Sequence, residues 1–171
     1  MCLARARTGP AVPACPEVRD DVNDPDTADR LALRRLVDSY ASGVDHRDVA
    51  GVTGLFTAEG ELVAQFHRGE DGIPVVRSGH DDITGALEEG LRRYVATTHV
   101  VGGQVVDVDG DKARGETTCL AHHVYERAGE RRLLVMAIRY HDDFVRAGGA
   151  WRFARRDLHL DWRDDRRLDA S

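Results

Sequence analysis

The chain has 171 residues, 42% hydrophobic and 32% charged, which suits one folded domain with a substantial core and excludes a wholly disordered chain. A net charge of −6 and a pI near 5.7 argue against a nucleic-acid or anionic-membrane surface, so neither nucleic acid nor membrane is expected as a partner. Lys112, the only lysine, falls in the turn-like DGDKARG, which argues against Schiff-base chemistry.

Residues 1–23 hold three of the five prolines and no apolar periodicity, and they read as a flexible tail. The stretch MCLARARTGPAVPACPEV is charged but has no continuous apolar run, and nothing approaches transmembrane length. Cys2, Cys15 and Cys119 show no metal-ligand spacing. An odd count without a secretion signal points to a reducing, cytoplasmic setting.

Order is expected from residue 24. Asp24 and Pro25 make an N-cap and first-turn pair, after which Leu33, Leu36, Val37, Tyr40 and Val44 recur on one helical face. A second, short helix is expected in VAGVTGLF, where Val49, Val52 and Phe56 align. After the turn-like TAEG, ELVAQF and IPVVRS form a hairpin around GEDG. GHDDITGALEEGLRRY carries Ile83, Leu87, Leu91 and Tyr94 at helical intervals, with acids in its first turn and arginines in its last, as the helix dipole favours.

The rest reads as strands: THVVGGQVVDV, KARGETTCLAHHVYE, RLLVMAIRYHDDFV and WRFARRDLHLDW, joined by the hairpin turns DGD, RAGE and RAGGA. Residues 164–171 read as a polar tail, leaving one domain over 24–163. Helices and a hairpin followed by a long meander make the fold class α+β, not the βαβ alternation of a parallel sheet. Such an order predicts a curved antiparallel sheet over a helix layer, with a cavity between them.

Tyr40 lies on the apolar face of the first helix. Asp45, five positions on, sits about 140° further round an ideal helix. It also lies at the end where the dipole disfavours a carboxylate, so it is either a solvated loop acid or one kept for chemistry. In TTCLAHHVY, period two puts Thr118, Leu120, His122 and Val124 on one face and Cys119, Ala121, His123 and Tyr125 on the other. One of the two adjacent histidines therefore points inward. The same count groups Trp151, Phe153, Arg155, Asp157 and His159, and a buried arginine or histidine among them needs a partner. His99 opens a valine- and glycine-rich strand, where it is either a packing group or a proton-transfer group. The metal-like GHDD and YHDDF are a helix first turn and an alternating strand, so their side chains do not converge on one ion. With no GxGxxG, P-loop, CxxC or HExxH present, neither a metal nor another cofactor is expected.

The run TTHVVGGQVVDVDGDKARGETTCLAHHVYE, with YASGVDHRD before it and YHDDFVRAGGAWRFARRDLHLDW after it, resembles the SnoaL-like branch of the nuclear-transport-factor-2-like superfamily over roughly residues 26–163. The resemblance implies a cone-shaped curved antiparallel sheet wrapped around about three N-terminal helices, an internal pocket and a homodimer. It also implies one of several activities, as polyketide cyclase, dehydratase, ketosteroid-type isomerase or epoxide hydrolase. The alternative is a noncatalytic module of the ring-hydroxylating dioxygenase β-subunit type.

Carried over by position, Tyr40 and Asp45 match the first-helix tyrosine and aspartate of scytalone-dehydratase-like and bile-acid-dehydratase-like members. His99 matches the histidine of the strand after the third helix, and His122 the histidine or aspartate of the next strand. The implied roles are His99 as base, Asp45 orienting it, Tyr40 donating to a carbonyl oxygen and His122 protonating a departing hydroxyl. Tyr140, Phe56, Phe66, Tyr94 and Arg155 are expected to contact substrate, with Arg156 the alternative to Arg155. No residue on the 117–125 strand supplies the aspartate of SnoaL-type aldol cyclases. The expected function is a cofactor-independent acid–base enzyme, of dehydratase, cyclase or isomerase type, acting on a small hydrophobic oxygenated substrate such as a polyketide.

Overall fold

Apolar residues at helical spacing fold Thr27–Asp45 into α1, whose buried side is Leu33, Leu36, Val37, Tyr40, Ala41 and Val44. The computed structural model describes residues 26–68 and 73–168, so the Asp24–Pro25 cap and the tail over 1–23 lie outside the described residues. The other elements are α2 (Val49–Thr53), β1 (Phe56–Arg68), β2 (Pro74–Ser78), α3 (Gly79–Leu91), β3 (Ala96–Asp109), β4 (Lys112–Arg127), β5 (Glu130–Ala147) and β6 (Ala150–Arg167). They form an α+β fold around one six-stranded sheet ordered β2-β1-β6-β5-β4-β3. No helix among the described residues is long and apolar enough to cross a membrane.

The meander β3–β4–β5–β6 is antiparallel throughout, as expected, and β1 and β2 form the expected hairpin. Four local expectations fail. Helix α3 stops at Leu91, so Arg92, Arg93 and Tyr94 lie beyond its last turn. Phe56 does not extend the second helix; α2 stops at Thr53 and Phe56 opens β1. TAEG is not a turn but part of β1, which runs parallel to β6 with its register shifted between Phe56 and Glu61. Gly60 sits in that irregularity, where a Cβ would lie 2.9 Å from Phe56 Cβ and 3.1 Å from the Phe153 carbonyl oxygen. Only glycine lets the two strands approach so closely. Finally, β6 runs to Arg167, beyond the residue-163 boundary read from the sequence.

Two bulges decide what faces the helices. In β6 the register skips Ala154, so Asp143 pairs with Arg155 while Phe144 pairs with Phe153. The extra residue turns Arg156 inward and Arg155 outward, which period two alone does not show. In β3 the register skips Gly102 and Gly103. There a Cβ on Gly102 would fall 2.5 Å from Thr118 Oγ1.

Arg156 is fully buried and donates to Asp142 through Nε at 2.8 Å and Nη2 at 2.7 Å. Its guanidinium lies 4.3 Å from the ring centres of Tyr40 and Tyr140 and 4.1 Å from that of Phe153. Burial pushes the Asp142 carboxyl up, and the Arg156 charge offsets part of that rise. At the other end of α1, Asp29 accepts from Arg146 Nη2 at 2.7 Å and from Trp151 Nε1 at 2.9 Å, tying the helix to the β5–β6 hairpin.

Removing one member of the buried pair strands the other charge. Asp142→Ala is expected to lose about 3–5 kcal/mol in urea unfolding, whereas Asp142→Leu combined with Arg156→Met recovers most of it. A single-variant loss below about 1 kcal/mol would mean that the pair is solvated.

Candidate active site

The last residue of α1, Asp45, faces the first turns of the edge strand β3. Its Oδ2 accepts the His99 backbone N–H at 2.8 Å, and its Oδ1 lies 2.7 Å from His99 Nδ1. Burial pushes the Asp45 carboxyl up, but the bonds from the His99 ring and backbone outweigh it and hold the group below the usual carboxylate range. An ionised carboxylate only accepts, so His99 Nδ1 carries a proton and, in the neutral tautomer this selects, Nε2 holds the lone pair. The His99 side chain is 8% exposed and that of Asp45 is 21% exposed. Both border a groove of about 330 Å³ between α1 and β3, with Ala41, Val101 and His46 on its other walls. A hollow of about 680 Å³ over the C-terminal half of α1 shares Asp38, Ser42 and His46 with this groove.

The second histidine of the site is not the one carried over from the resemblance. His99 pairs in register with Ala121, which places Cys119, Ala121 and His123 on the helix-facing side of β4. His122 pairs with Thr98 and Val135 and stands on the opposite face of the sheet. The His123 ring meets that of His99 edge-on with centroids 5.6 Å apart, and Tyr94 lies against its other side at 4.4 Å. Burial, reinforced by neighbouring His99, brings the His123 pKa down to about 4. His123 is therefore uncharged at neutral pH. Its Nδ1 is buried and has no hydrogen-bond partner among the described residues.

The remaining candidates fall into a second cluster. Tyr40, Tyr140 and Phe56 pack edge-to-face, with Tyr40 6.1 Å from Tyr140 and 6.3 Å from Phe56. With Phe153 and Arg156 they pack together on the helix-facing side of the sheet. Burial raises the Tyr40 pKa and pushes that of Tyr140 well above the usual phenol value. Phe66 packs half-buried against the core edge. Arg155 is not on this side: it pairs with Asp157 and Glu61 on the outer face, and Arg156 takes the inward place. On the inner face Thr117 Oγ1, Gln104 Nε2 and Arg156 Nη1 are also buried without partners among the described residues. Gln104 and Thr117 stand directly opposite each other. Interiors rarely leave so many polar atoms unmatched, and a polar ligand or ordered water would satisfy them.

With this geometry in hand, the pattern of the SnoaL-like domain matches residues 25–157. The chain belongs to the SnoaL-like family. This SnoaL-like protein is 30% identical over 131 residues to uncharacterised proteins of Mycobacterium tuberculosis and Mycobacterium bovis, covering 75% of this chain and 83% of each relative. Its NTF2-like fold is shared with a protein described as a putative scytalone dehydratase from Novosphingobium aromaticivorans, at a TM-score of 0.67 and 23% identity over 84% of this chain and 91% of that one. It is shared as well with the hexachlorocyclohexane dehydrochlorinase LinA-type3 of Novosphingobium barchaimii, at a TM-score of 0.69 and 17% identity over 82% and 90% of the two chains.

His123 also sets a pH dependence of stability. Its folded pKa near 4 lies below the ordinary histidine value of about 6.5, so the unfolded chain binds the extra proton between those limits. Its contribution is complete above about pH 6.5 and is lost as the pH falls toward 4, on the order of 3 kcal/mol across the window. His123→Phe keeps the ring and removes this slope. Urea unfolding at a series of pH values measures it, and an unchanged slope in His123→Phe would assign the effect elsewhere.

Proposed function

We propose that this SnoaL-like protein is a cofactor-independent acid–base enzyme that eliminates water from a small hydrophobic β-hydroxycarbonyl compound, such as a polyketide or a related secondary metabolite. The observation that carries the reading is the double grip of Asp45 on His99, by backbone and by ring. A packing histidine needs no charged partner that fixes its tautomer, whereas a general base does.

In this reading His99 Nε2 takes the proton next to the carbonyl. The C–H electron pair becomes the new C=C bond as the β-hydroxyl departs. The imidazolium, stabilised by Asp45, returns that proton to the leaving oxygen, so no net charge or atom is left over. The resemblance assigns to Tyr40, whose phenol burial keeps protonated, the hydrogen bond to the carbonyl oxygen as enolate charge develops. His123, uncharged, offers a neutral hydrogen bond to the substrate in place of the proton assigned by resemblance to His122. Arg156 is already neutralised by Asp142, which fits a neutral substrate better than an anionic one. The fold-level likeness to proteins described as a putative scytalone dehydratase and a dehydrochlorinase supports an elimination. Cyclisation and isomerisation need the same base.

The packed Tyr40–Tyr140–Phe153–Arg156 cluster favours one other reading, a noncatalytic module held together by that cluster. The two separate cleanly. A panel of bicyclic and tricyclic β-hydroxyketones, followed by enone absorbance, should show turnover by the native chain. His99→Ala should lower it by at least about 10³-fold, and Asp45→Asn by about 10²–10⁴-fold, with the fold intact by circular dichroism. Undiminished turnover in His99→Ala would remove His99 from the chemistry, and no turnover with any member would favour the noncatalytic module.

A further inference from the structure

Among the described residues two that are not glycine hold a positive φ, Arg47 at 62° and Ala128 at 52°. Ala128 turns the hairpin between β4 and β5. Arg47 closes α1. Its N–H donates to the Val44 carbonyl at 3.2 Å, and the Asp48 N–H donates to that of Gly43 at 2.9 Å. That pair of bonds ends a helix by setting the residue after its cap in the left-handed region. Glycine is favoured there because it has no Cβ to crowd the neighbouring carbonyl. An arginine at this position carries a backbone cost that its side chain has to offset.

The side chain reaches the connection between α3 and β3, where Nη2 donates to the Tyr94 carbonyl at 3.1 Å. The Tyr94 ring lies 4.4 Å from that of His123, which in turn meets His99 edge-on at 5.6 Å. Arg47 is thus tied to the residue that backs the two histidines. Its Nη1, like His123 Nδ1, is buried without a partner among the described residues. A guanidinium N–H left unmatched in the interior is costly, and a ligand oxygen would satisfy it. The charge is open as well. Arg156 is answered by Asp142 at 2.7 Å and Arg34 by Asp38 at 3.0 Å. Both Asp45 oxygens are engaged by His99. Arg47 has a backbone carbonyl and no carboxylate among the described residues.

We infer that Arg47 Nη1 donates to the ligand oxygen on which negative charge develops, forming a subsite for an enolate or phenolate oxygen next to His99. The identity of that oxygen rests on the proposed elimination, whereas the subsite rests on Arg47 itself. As His99 takes the proton, negative charge appears on the substrate oxygen and the Arg47 cation answers it. A bond of this kind is weak to the neutral carbonyl and strengthens as the enolate forms, so it lowers the barrier more than it tightens binding. It adds to the bond that the resemblance assigns to Tyr40.

Equilibrium dialysis of the full chain with para-nitrophenolate, an enolate-like oxyanion, and with the neutral ether para-nitroanisole tests the subsite. The native chain is expected to bind the ionised phenol at least about 10-fold more tightly than the ether. Arg47→Gly suits the backbone, so it should lose that preference while its urea midpoint stays at or above the native one. Arg47→Asn, which also tolerates a positive φ, decides the matter where Arg47→Gly does not fold. With β-hydroxyketones, Arg47→Gly is expected to lower kcat by about 10²-fold at a near-native KM, the mark of a contact made in the transition state. Phenolate binding needs no turnover, so a chain that shows the preference without elimination overturns the proposed reaction and upholds the subsite. A native chain without the preference overturns the inference. So does a folded Arg47→Gly or Arg47→Asn that keeps it, which would leave Arg47 as a tie to Tyr94 alone.

Discussion

The Asp45 carboxylate holds together two parts of the chain that neither helix nor sheet geometry would otherwise align. It sits at the C-terminus of α1, where the partial negative charge of the helix end opposes a carboxylate. That unfavourable placement persists because both oxygens are engaged, one by the His99 amide and one by the His99 ring. Edge strands leave one row of backbone groups unpaired, and His99 N–H would be one of them. Asp45 satisfies that amide and orients the imidazole in a single contact. Arg34 and Arg30 continue the seam, donating to the carbonyls of Gly102 and Val106 on the same strand. The α1–β3 seam is thus fixed by side chains reaching across to backbone, and the groove beside it inherits that rigidity.

A second constraint lies deeper. Burying a guanidinium and a carboxylate is costly unless the geometry is close to ideal, and the Arg156–Asp142 pair meets that condition with two short bonds and three aromatic rings around the cation. The skipped residue at Ala154 is what brings Arg156 to Asp142. Without the bulge Arg155 would face inward, and the outer-face pairs it makes with Asp157 and Glu61 would be lost.

These two features also show what the sequence reveals and what it hides. Helices α1 and α3 were legible because Leu33, Leu36, Val37 and Ile83, Leu87 repeat at the helical period. The meander was legible because glycines such as Gly110 and Gly129 adopt the positive φ its hairpin turns require. Period-two counting fails wherever a bulge intervenes, which is why Arg155 and Arg156 were not separable and why TAEG read as a turn. The His122–His123 choice failed differently. Alternation gives two equally regular faces, and only the register of β4 against β3, a long-range pairing, assigns one of them to the helices. Asp45 and His99, 54 residues apart, were joined by family resemblance, since no local pattern links a helix end to an edge strand.

The electrostatic consequence is that one acid, Asp45, answers the His99 ring directly. His123 stays uncharged at neutral pH, and the Arg156 charge is cancelled by Asp142. Asp45 is then the uncompensated charge in contact with His99. In the proposed reaction a neutral substrate yields a proton to His99, the imidazolium and Asp45 become a paired, net-neutral unit, and the negative charge passes to the substrate oxygen. In a half-buried setting that transfer is favoured over the protonation of an unpaired histidine by several kcal/mol at most, since partial solvation weakens the attraction. On the proposed reading, that balance suits a neutral, proton-yielding substrate.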